Sequence, residues 1–170
     1  MITIRPETRL DLPAIRKINE LAFGQVAEAN LVDSLREHCR DILSLLAVDE
    51  NEPVGHILFS PATIESETDT IRGMALAPMA VLRDRQCEGI GSALVREGLE
   101  RLQHSSCPYI IVLGHPEFYP RFGFEPASSH GVKCQWEGVP DEAFMLAILD
   151  QDLMSGITGT ARYRPEFDSA

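Results

Sequence analysis

The segment from Gln86 to Ser92 carries residue types suited to binding an anion. Its order is Gln-Cys-Glu-Gly-Ile-Gly-Ser, and it follows a nearly all-apolar stretch and opens an amphipathic helical pattern. Gly89 and Gly91 let backbone N–H groups approach a ligand without a Cβ in the way, and the start of a helix adds partial positive charge. These features predict a phosphate-binding loop. A plain strand-to-helix turn that happens to need glycine is the alternative that these residues alone leave open.

A second segment with chemical potential runs from Pro116 to Phe124, in the order Pro-Glu-Phe-Tyr-Pro-Arg-Phe-Gly-Phe. Aromatic clusters of this kind usually pack in a core. However, Tyr119 stands beside prolines and close to a glycine, just beyond an apolar run that predicts a buried strand. Catalytic groups often lie in such loops. Tyr119 is therefore a candidate catalytic residue, with core packing as the alternative.

Several other chemistries lack their motifs. The dinucleotide-binding fingerprint would need glycine where Leu94 stands, and GxxxxGK, HExxH and GxSxG occur nowhere. The five histidines show no metal-ligand spacing, and the four cysteines form no CxxC pair. We therefore expect no metal, no disulfide framework and reduced thiols.

Hydrophobic periodicity predicts an alternation of strands and helices. Asp11 is the predicted N-cap of the first helix and Gly24 its stop. Residues 63–70 are predicted to form an exposed loop, and residues 155–170 a loosely packed tail. The predicted strands are 2–5, 43–48, 54–64, 74–82, 109–113 and 143–149, and the predicted helices are 12–23, 28–39 and 90–103.

This order of elements predicts an α/β or α+β domain with a mixed sheet. Pro78 lies inside an apolar strand, where it gives up a ladder hydrogen bond. It therefore predicts a bulge or a point where the strand leaves its neighbour. Gly98, in the third helix, predicts a close approach of that helix to the sheet.

Composition excludes some classes of partner. The 170 residues include 15 lysines and arginines against 26 aspartates and glutamates, a net charge of −11. This acidity disfavours nucleic acid and anionic membranes, and it either serves solubility or suits a cationic substrate. The sequence has no apolar run long enough to span a bilayer, and its N-terminus lacks the pattern of a signal peptide. We therefore expect a cytoplasmic protein without a membrane partner.

Taken together, the glycine loop and the aromatic segment resemble the GNAT superfamily of acyl-CoA-dependent N-acyltransferases. The run from Val112 to Phe124, VLGHPEFYPRFGF, is similar to small bacterial predicted acetyltransferases. The resemblance covers residues 1–150, which we expect to form the GNAT-like domain, with 151–170 as a C-terminal tail. It implies a single-domain mixed, mostly antiparallel sheet flanked by helices and splayed at strands 4 and 5.

The resemblance also implies which residues contact the cofactor, acetyl-CoA. Backbone groups of the fourth strand would meet its pantetheine arm, main-chain amides of the loop would wrap its pyrophosphate, and Tyr119 would lie near the thioester sulfur. The implied strand residues are Met79, Ala80 and Val81. The implied loop residues are Gln86, Cys87, Glu88, Gly89, Ile90, Gly91 and Ser92.

The implied reaction is direct attack of a neutral amine, from a small molecule or a peptide, on the thioester carbonyl. The N–H of Ala80 or Val81 is a candidate donor to the oxyanion, and Tyr119 would protonate the leaving thiolate as general acid. The general base stays open among several candidates, as does the choice between a monomer and a homodimer. The base candidates are Glu28, Glu65, His115 and Glu117.

One feature departs from the family pattern, since Cys87 and Glu88 stand where glycine or a basic residue is common. A carboxylate near a pyrophosphate lowers affinity unless it points away, and nearby arginines, Arg83, Arg85 and Arg96, would offset it. A nucleophilic role for Cys87 in a two-step route is a minor alternative. The alternative function is a non-catalytic module that binds or senses acyl-CoA.

Overall fold

A computed structural model describes residues 1–169 and contains four helices and nine strands over that range. Short 3-10 turns join several of them. The helices are α1 (Leu12–Phe23), α2 (Ala27–His38), α3 (Ile90–His104) and α4 (Gln151–Met154). The strands are β1 (Ile2–Pro6), β2 (Leu43–Asp49), β3 (Glu52–Glu65), β4 (Thr70–Val81), β5 (Tyr109–Leu113), β6 (Glu125–Pro126), β7 (Val132–Cys134), β8 (Phe144–Ile148) and β9 (Gly159–Arg162).

The chain forms two compact units, and β3, β4 and α3 pass from one into the other. The first unit comprises Met1–Ser60, Ala77–Glu100 and the residues from Pro165 onward. In it, β1 pairs antiparallel with β2, and β2 pairs antiparallel with β3. β2 and β3 therefore form an antiparallel hairpin.

The first unit has a core between its helices and strands. Ile15 and Ile18 of α1 and Leu35 of α2 are at most 2% exposed and pack with Leu46 of β2 and Ala80 of β4. Gly98 of α3 lies directly against Phe59 of β3: a Cβ built on Gly98 would fall 2.3 Å from the ring atom Cε2. The predicted close approach of this helix to the sheet is confirmed.

A chain of buried polar side chains also crosses the first unit. The amide Nδ2 of Asn19 lies 3.2 Å from Nδ1 of His56, and Nε2 of His56 lies 2.9 Å from the Ser44 hydroxyl. That hydroxyl donates to the carboxylate of Glu7, which also accepts two 2.8 Å hydrogen bonds from Arg36. The chain therefore links α1 to α2 through β3 and β2.

The second unit comprises Pro61–Leu76 and Arg101–Arg164. Its β5 pairs antiparallel with β8, and β8 pairs antiparallel with β6. The last part of β3 pairs antiparallel with β9, which pairs in parallel with β7. The β4–β5 register is parallel and covers only Met74–Leu76. It ends just before Pro78, as the proline predicts, and the mixed, mostly antiparallel sheet with splayed β4 and β5 is confirmed.

Two local predictions need correction. Asp11 stands at the predicted N-cap position of α1, but its side chain does not cap the helix. Its carboxylate instead accepts hydrogen bonds from Arg5 at 2.7 Å and from the N–H of Thr8 at 2.6 Å, which closes the preceding 3-10 turn. The guanidinium of Arg5 also holds the pKa of Asp11 well below its ordinary value, although burial opposes this.

The C-terminal segment is not a loosely packed tail. It contributes β9 to the sheet, with Ala161 at 0% exposure, and Phe167 packs against the core of the first unit. The predicted exposed loop at 63–70 is also shorter than expected. Because β3 continues to Glu65 and β4 begins at Thr70, only four residues lie between them.

Candidate functional site

The glycine loop lies between β4 and α3, within the first unit. Cys87 and Gly89 both have positive φ, at 65° and 85°, so the backbone reverses twice before the helix begins. The N–H of Ala93 donates to the Gly89 carbonyl, which closes the first turn of α3. The amides ahead of Ala93 therefore have no helical acceptor and stand at the positive end of the helix. This arrangement suits an anion.

Packing beneath the loop fixes its two ends. A Cβ built on Gly55 of β3 would lie 3.0 Å from the Ile90 side chain and 3.3 Å from the Ala80 carbonyl oxygen. A side chain at this position would require these neighbours to shift by a few tenths of an ångström. The side-chain amide of Gln86 donates to the Val81 carbonyl at 3.1 Å. Gln86 thus ties the loop back to the end of β4.

The carboxylate of Glu88 is paired. Nε of Arg85 lies 3.2 and 3.1 Å from the two Glu88 oxygens, and Nη2 of Arg85 lies 2.7 Å from Oδ2 of Asp49. Of the three arginines expected to offset Glu88, Arg85 is in direct contact with it. Arg83 lies elsewhere in the same unit, with its Nη2 3.0 Å from where a Cβ on Gly24 would stand.

Tyr119 belongs to the second unit and begins a 3-10 turn shortly after β5. Its backbone N–H donates to the His115 carbonyl, and its ring packs edge-on against Phe118 and Phe124 at centroid distances of 5.0 and 5.6 Å. A Cβ on Gly114 would fall 2.4 Å from Cε2 of Tyr119. The Gly114 backbone is therefore one wall of the slot that holds the ring.

Burial changes the acidity of Tyr119. The side chain is 7% exposed, and this burial raises the pKa of its hydroxyl to about 12. Tyr163, which follows β9 and lies against Trp136, is similarly buried, and burial raises the pKa of its hydroxyl as well. Tyr119 therefore remains protonated at neutral pH, as a proton donor must.

The candidate general bases differ in how far they are engaged. Glu65 forms an ion pair with Arg162 at 2.6 Å, and Glu28 accepts from the Gln25 amide at 3.0 and 3.1 Å. His115 and Glu117 are exposed on the turn-rich segment after β5. These contacts do not select one of the four.

Three groups around the predicted residues were missed by sequence reasoning. Asp49 is 36 positions from its partner Arg85, and Gly55 is hidden in an ordinary strand pattern. Gly114 stands inside the family-like block, and its place next to an aromatic turn was the one available signal. Cys87 is exposed, and none of the four cysteines forms a disulfide.

The fold and these residues define the class of protein. The model of the acetyltransferase (GNAT) family matches residues 12–124, and the chain belongs to this family. The resemblance inferred from the sequence is thereby confirmed.

Similar proteins agree with this assignment. The chain is 36% identical over 166 residues to the uncharacterized N-acetyltransferase YhbS of Escherichia coli K12, covering 97% of this chain and 98% of that protein. It is 46% identical over 120 residues to the uncharacterized N-acetyltransferase YjhQ of the same strain, covering 69% of this chain and 66% of that protein.

Two solved structures share the fold over nearly the whole chain. The crystal structure of YhbS from Escherichia coli in complex with CoA has a TM-score of 0.91 and 34% identity, and covers 98% of this chain and 92% of that one. A GNAT family acetyltransferase from Brucella melitensis in complex with acetyl-CoA has a TM-score of 0.79 and 31% identity, and covers 99% of both chains.

Two other features are absent from residues 1–169. Within that range, no group of three or more His, Cys, Asp or Glu side chains is arranged to hold a metal ion. No helix in the same range has the length and apolar character needed to cross a membrane.

Proposed function

We propose that this protein transfers an acetyl group from acetyl-CoA to a primary amine of a small molecule or a peptide, by direct attack and with Tyr119 as general acid. Membership of the GNAT family and the CoA and acetyl-CoA complexes of two relatives support this proposal. The observation that carries it is the buried Tyr119, held protonated in the aromatic turn that follows β5.

The cofactor would bind through backbone groups. The amides of Gly89, Ile90, Gly91 and Ser92 precede the first complete turn of α3 and would receive the pyrophosphate. Local amides are needed because a net charge of −11 opposes long-range attraction of a polyanion. The rest of the loop consists of Gln86, Cys87 and Glu88. The pantetheine arm would contact backbone groups of Met79, Ala80 and Val81.

The chemistry needs three events. The neutral amine attacks the thioester carbonyl and forms a tetrahedral intermediate, whose oxyanion would accept a hydrogen bond from the N–H of Ala80 or Val81. The carbon–sulfur bond then breaks, Tyr119 gives its proton to the sulfur, and the second proton lost by the attacking nitrogen replaces the one that Tyr119 gave up. Before the attack, the ammonium form of the acceptor loses its first proton to a base that we leave open among Glu28, Glu65, His115 and Glu117.

The raised pKa of Tyr119 refines this mechanism. A tyrosine at its ordinary pKa of about 10 is a closer match to a thiol than a tyrosine at about 12. The buried hydroxyl would therefore keep its proton until substantial negative charge has developed on the sulfur. Protonation would therefore be late, at the stage when the carbon–sulfur bond is nearly broken.

An amine panel tests the proposed activity. Polyamines, amino acids, aminoglycosides and peptides with free N-termini are incubated with acetyl-CoA, and released thiol and acetylated product are measured. We expect acetyl-CoA to raise the melting temperature and at least one amine class to give stoichiometric product and thiol. Protection by acetyl-CoA with no product from any amine would instead favour the non-catalytic acyl-CoA-binding module. The proposal includes cytoplasmic action as a monomer or a homodimer, without a nucleic-acid partner.

A further inference from the structure

Arg85 is held at two points that differ in character. Its Nη2 lies 2.7 Å from Oδ2 of Asp49, in a contact where both side chains are about one quarter exposed. Its Nε contacts both oxygens of Glu88, whose side chain is 45% exposed. The Arg85 guanidinium thus binds two carboxylates: that of Asp49 at the end of β2, which is partly buried, and that of Glu88 within the glycine loop, which is more exposed.

We propose that Glu88 occupies, in the cofactor-free protein, a place on Arg85 that a phosphate group of acetyl-CoA takes when the cofactor binds. Asp49 keeps the guanidinium in position while the Glu88 carboxylate is exchanged for the phosphate. This inference rests on the proposed function, and it makes Arg85 and Glu88 determinants of cofactor affinity.

The Glu88 contact is suited to exchange. An ion pair between a partly exposed arginine and an exposed carboxylate three residues away contributes little to stability, so little is lost when it opens. Glu88 also stands between Cys87 and Gly89, whose positive φ values turn its peptide units away from a regular helix. The carboxylate can therefore leave Arg85 without disturbing α3, which begins at Ile90.

A phosphate is a stronger partner for the same guanidinium. It offers more acceptor oxygens and more charge than a carboxylate, and arginine binds phosphate through two parallel hydrogen bonds. Arg85 is three residues ahead of Glu88 and adjoins Gln86, the first residue of the loop whose amides would receive the pyrophosphate. If Glu88 stayed in place, its negative charge would oppose the incoming phosphate.

Calorimetric titration with CoA tests the exchange. We expect Glu88→Gln to lower the Kd for CoA by about threefold or more, because the internal competitor and its charge are both removed. Asp84→Asn is the matched control, because it removes a carboxylate from the same segment that does not contact Arg85. We expect it to leave the Kd and the amine turnover unchanged.

Arg85 must be the group that mediates the gain. In an Arg85→Gln background, Glu88→Gln should give a clearly smaller gain in affinity, because only the effect of its charge remains, so the two changes are not additive. Titration with dephospho-CoA identifies the phosphate involved. A gain that persists assigns the pyrophosphate, and a gain that disappears assigns the 3′-phosphate.

The inference is overturned if Glu88→Gln leaves CoA affinity unchanged or weaker, if Asp84→Asn gives an equal gain, or if the full gain survives without Arg85. Each of these results is obtained with a wild-type protein that binds CoA. If neither the wild type nor any variant binds CoA, the proposed function fails together with this inference. Failure of the inference alone is therefore distinguishable from failure of the proposed function. A lower KM for acetyl-CoA in Glu88→Gln, by the same factor as the Kd, provides an independent measurement.

Discussion

The hydroxyl oxygen of Ser44 lies 2.9 Å from Nε2 of His56, in a position that no solvent reaches. The direction of this hydrogen bond follows from its neighbours. Asn19 donates to Nδ1 of His56, so the proton of the neutral imidazole is on Nε2. His56 donates that proton to Ser44, and the Ser44 hydroxyl donates its own proton to Glu7. All links of the chain are satisfied only while His56 is neutral.

The first prediction concerns stability at mildly acidic pH. Burial lowers the pKa of His56 to about 4; the charge of Arg36 adds a smaller effect in the same direction, and the charge of Glu7 opposes both. Between about pH 6.5 and 4 the unfolded chain therefore binds a proton that the folded protein does not, and the free energy of unfolding falls as the pH falls. We expect a loss of about 2 kcal/mol between pH 8 and pH 5 from this residue, measured by urea unfolding.

His56→Gln separates this effect from other groups. Its free energy of unfolding should depend less on pH between 8 and 5 than that of the wild type. Burial alone would raise the pKa of Glu7, but hydrogen bonds from Arg36 and Ser44 outweigh it and lower the pKa. The stabilisation from Glu7 is thus lost only at lower pH. An NMR titration that finds His56 protonated near pH 6.5 would contradict the account.

The second prediction concerns the contact of α3 with β3. Gly98→Ala places a Cβ within 2.3 Å of the Phe59 ring, which is fully buried. Overpacking of this kind costs about 1–3 kcal/mol, partly offset by an alanine helix propensity gain of about 1 kcal/mol. We expect a net destabilisation in thermal or urea unfolding.

Phe59→Leu removes the clashing ring atoms and provides the control. Since both changes act on one contact, the double variant should lose less stability than the two single changes together. Strict additivity would show that the helix does not press on this ring.

The third prediction concerns the slot that holds Tyr119. Gly114→Ala brings a Cβ to 2.4 Å from the ring, so the hydroxyl must move. Misplacement of a catalytic group by about 1 Å can lower turnover as much as about a hundredfold, so we expect kcat to fall by about tenfold or more. CoA affinity, measured by calorimetry, should be unchanged, and an unaltered kcat would show that the hydroxyl position does not limit the reaction.

The fourth prediction concerns the alkaline side of the pH–rate profile. Because burial raises the pKa of Tyr119 to about 12, its proton remains available well above neutral pH. We expect kcat to show no loss assignable to Tyr119 up to about pH 10. An alkaline decline between pH 8 and 9 that is absent from a Tyr119→Phe variant would indicate an unburied, more acidic tyrosine.

Sequence reasoning was strongest where a local pattern determines structure. The run 90–103 predicted α3 to within a residue, and Pro78 predicted where β4 leaves β5, because helical periodicity and a missing N–H are properties of neighbouring residues. It failed for β6, β7 and β9, since these strands have two to four residues and exist only through pairing with distant segments.

The candidate site shows the same division. The motifs identified the glycine loop and Tyr119, because each is a short segment of particular residue types. The pairing of Arg85 with Asp49 and the wall that Gly114 gives to Tyr119 depend on side-chain placement after folding. Charge alone placed three arginines equally near Glu88, and only the folded geometry selects Arg85.

The most direct test of the central claim compares wild type with Tyr119→Phe. The variant keeps the buried ring and removes only the hydroxyl, so packing against Phe118 and Phe124 is preserved. With an acceptor amine from the panel, we predict that kcat falls by about a hundredfold, within the usual range for loss of general acid catalysis, while the Kd for acetyl-CoA stays the same. Unchanged turnover in a variant that still binds acetyl-CoA would contradict the role of Tyr119 as general acid.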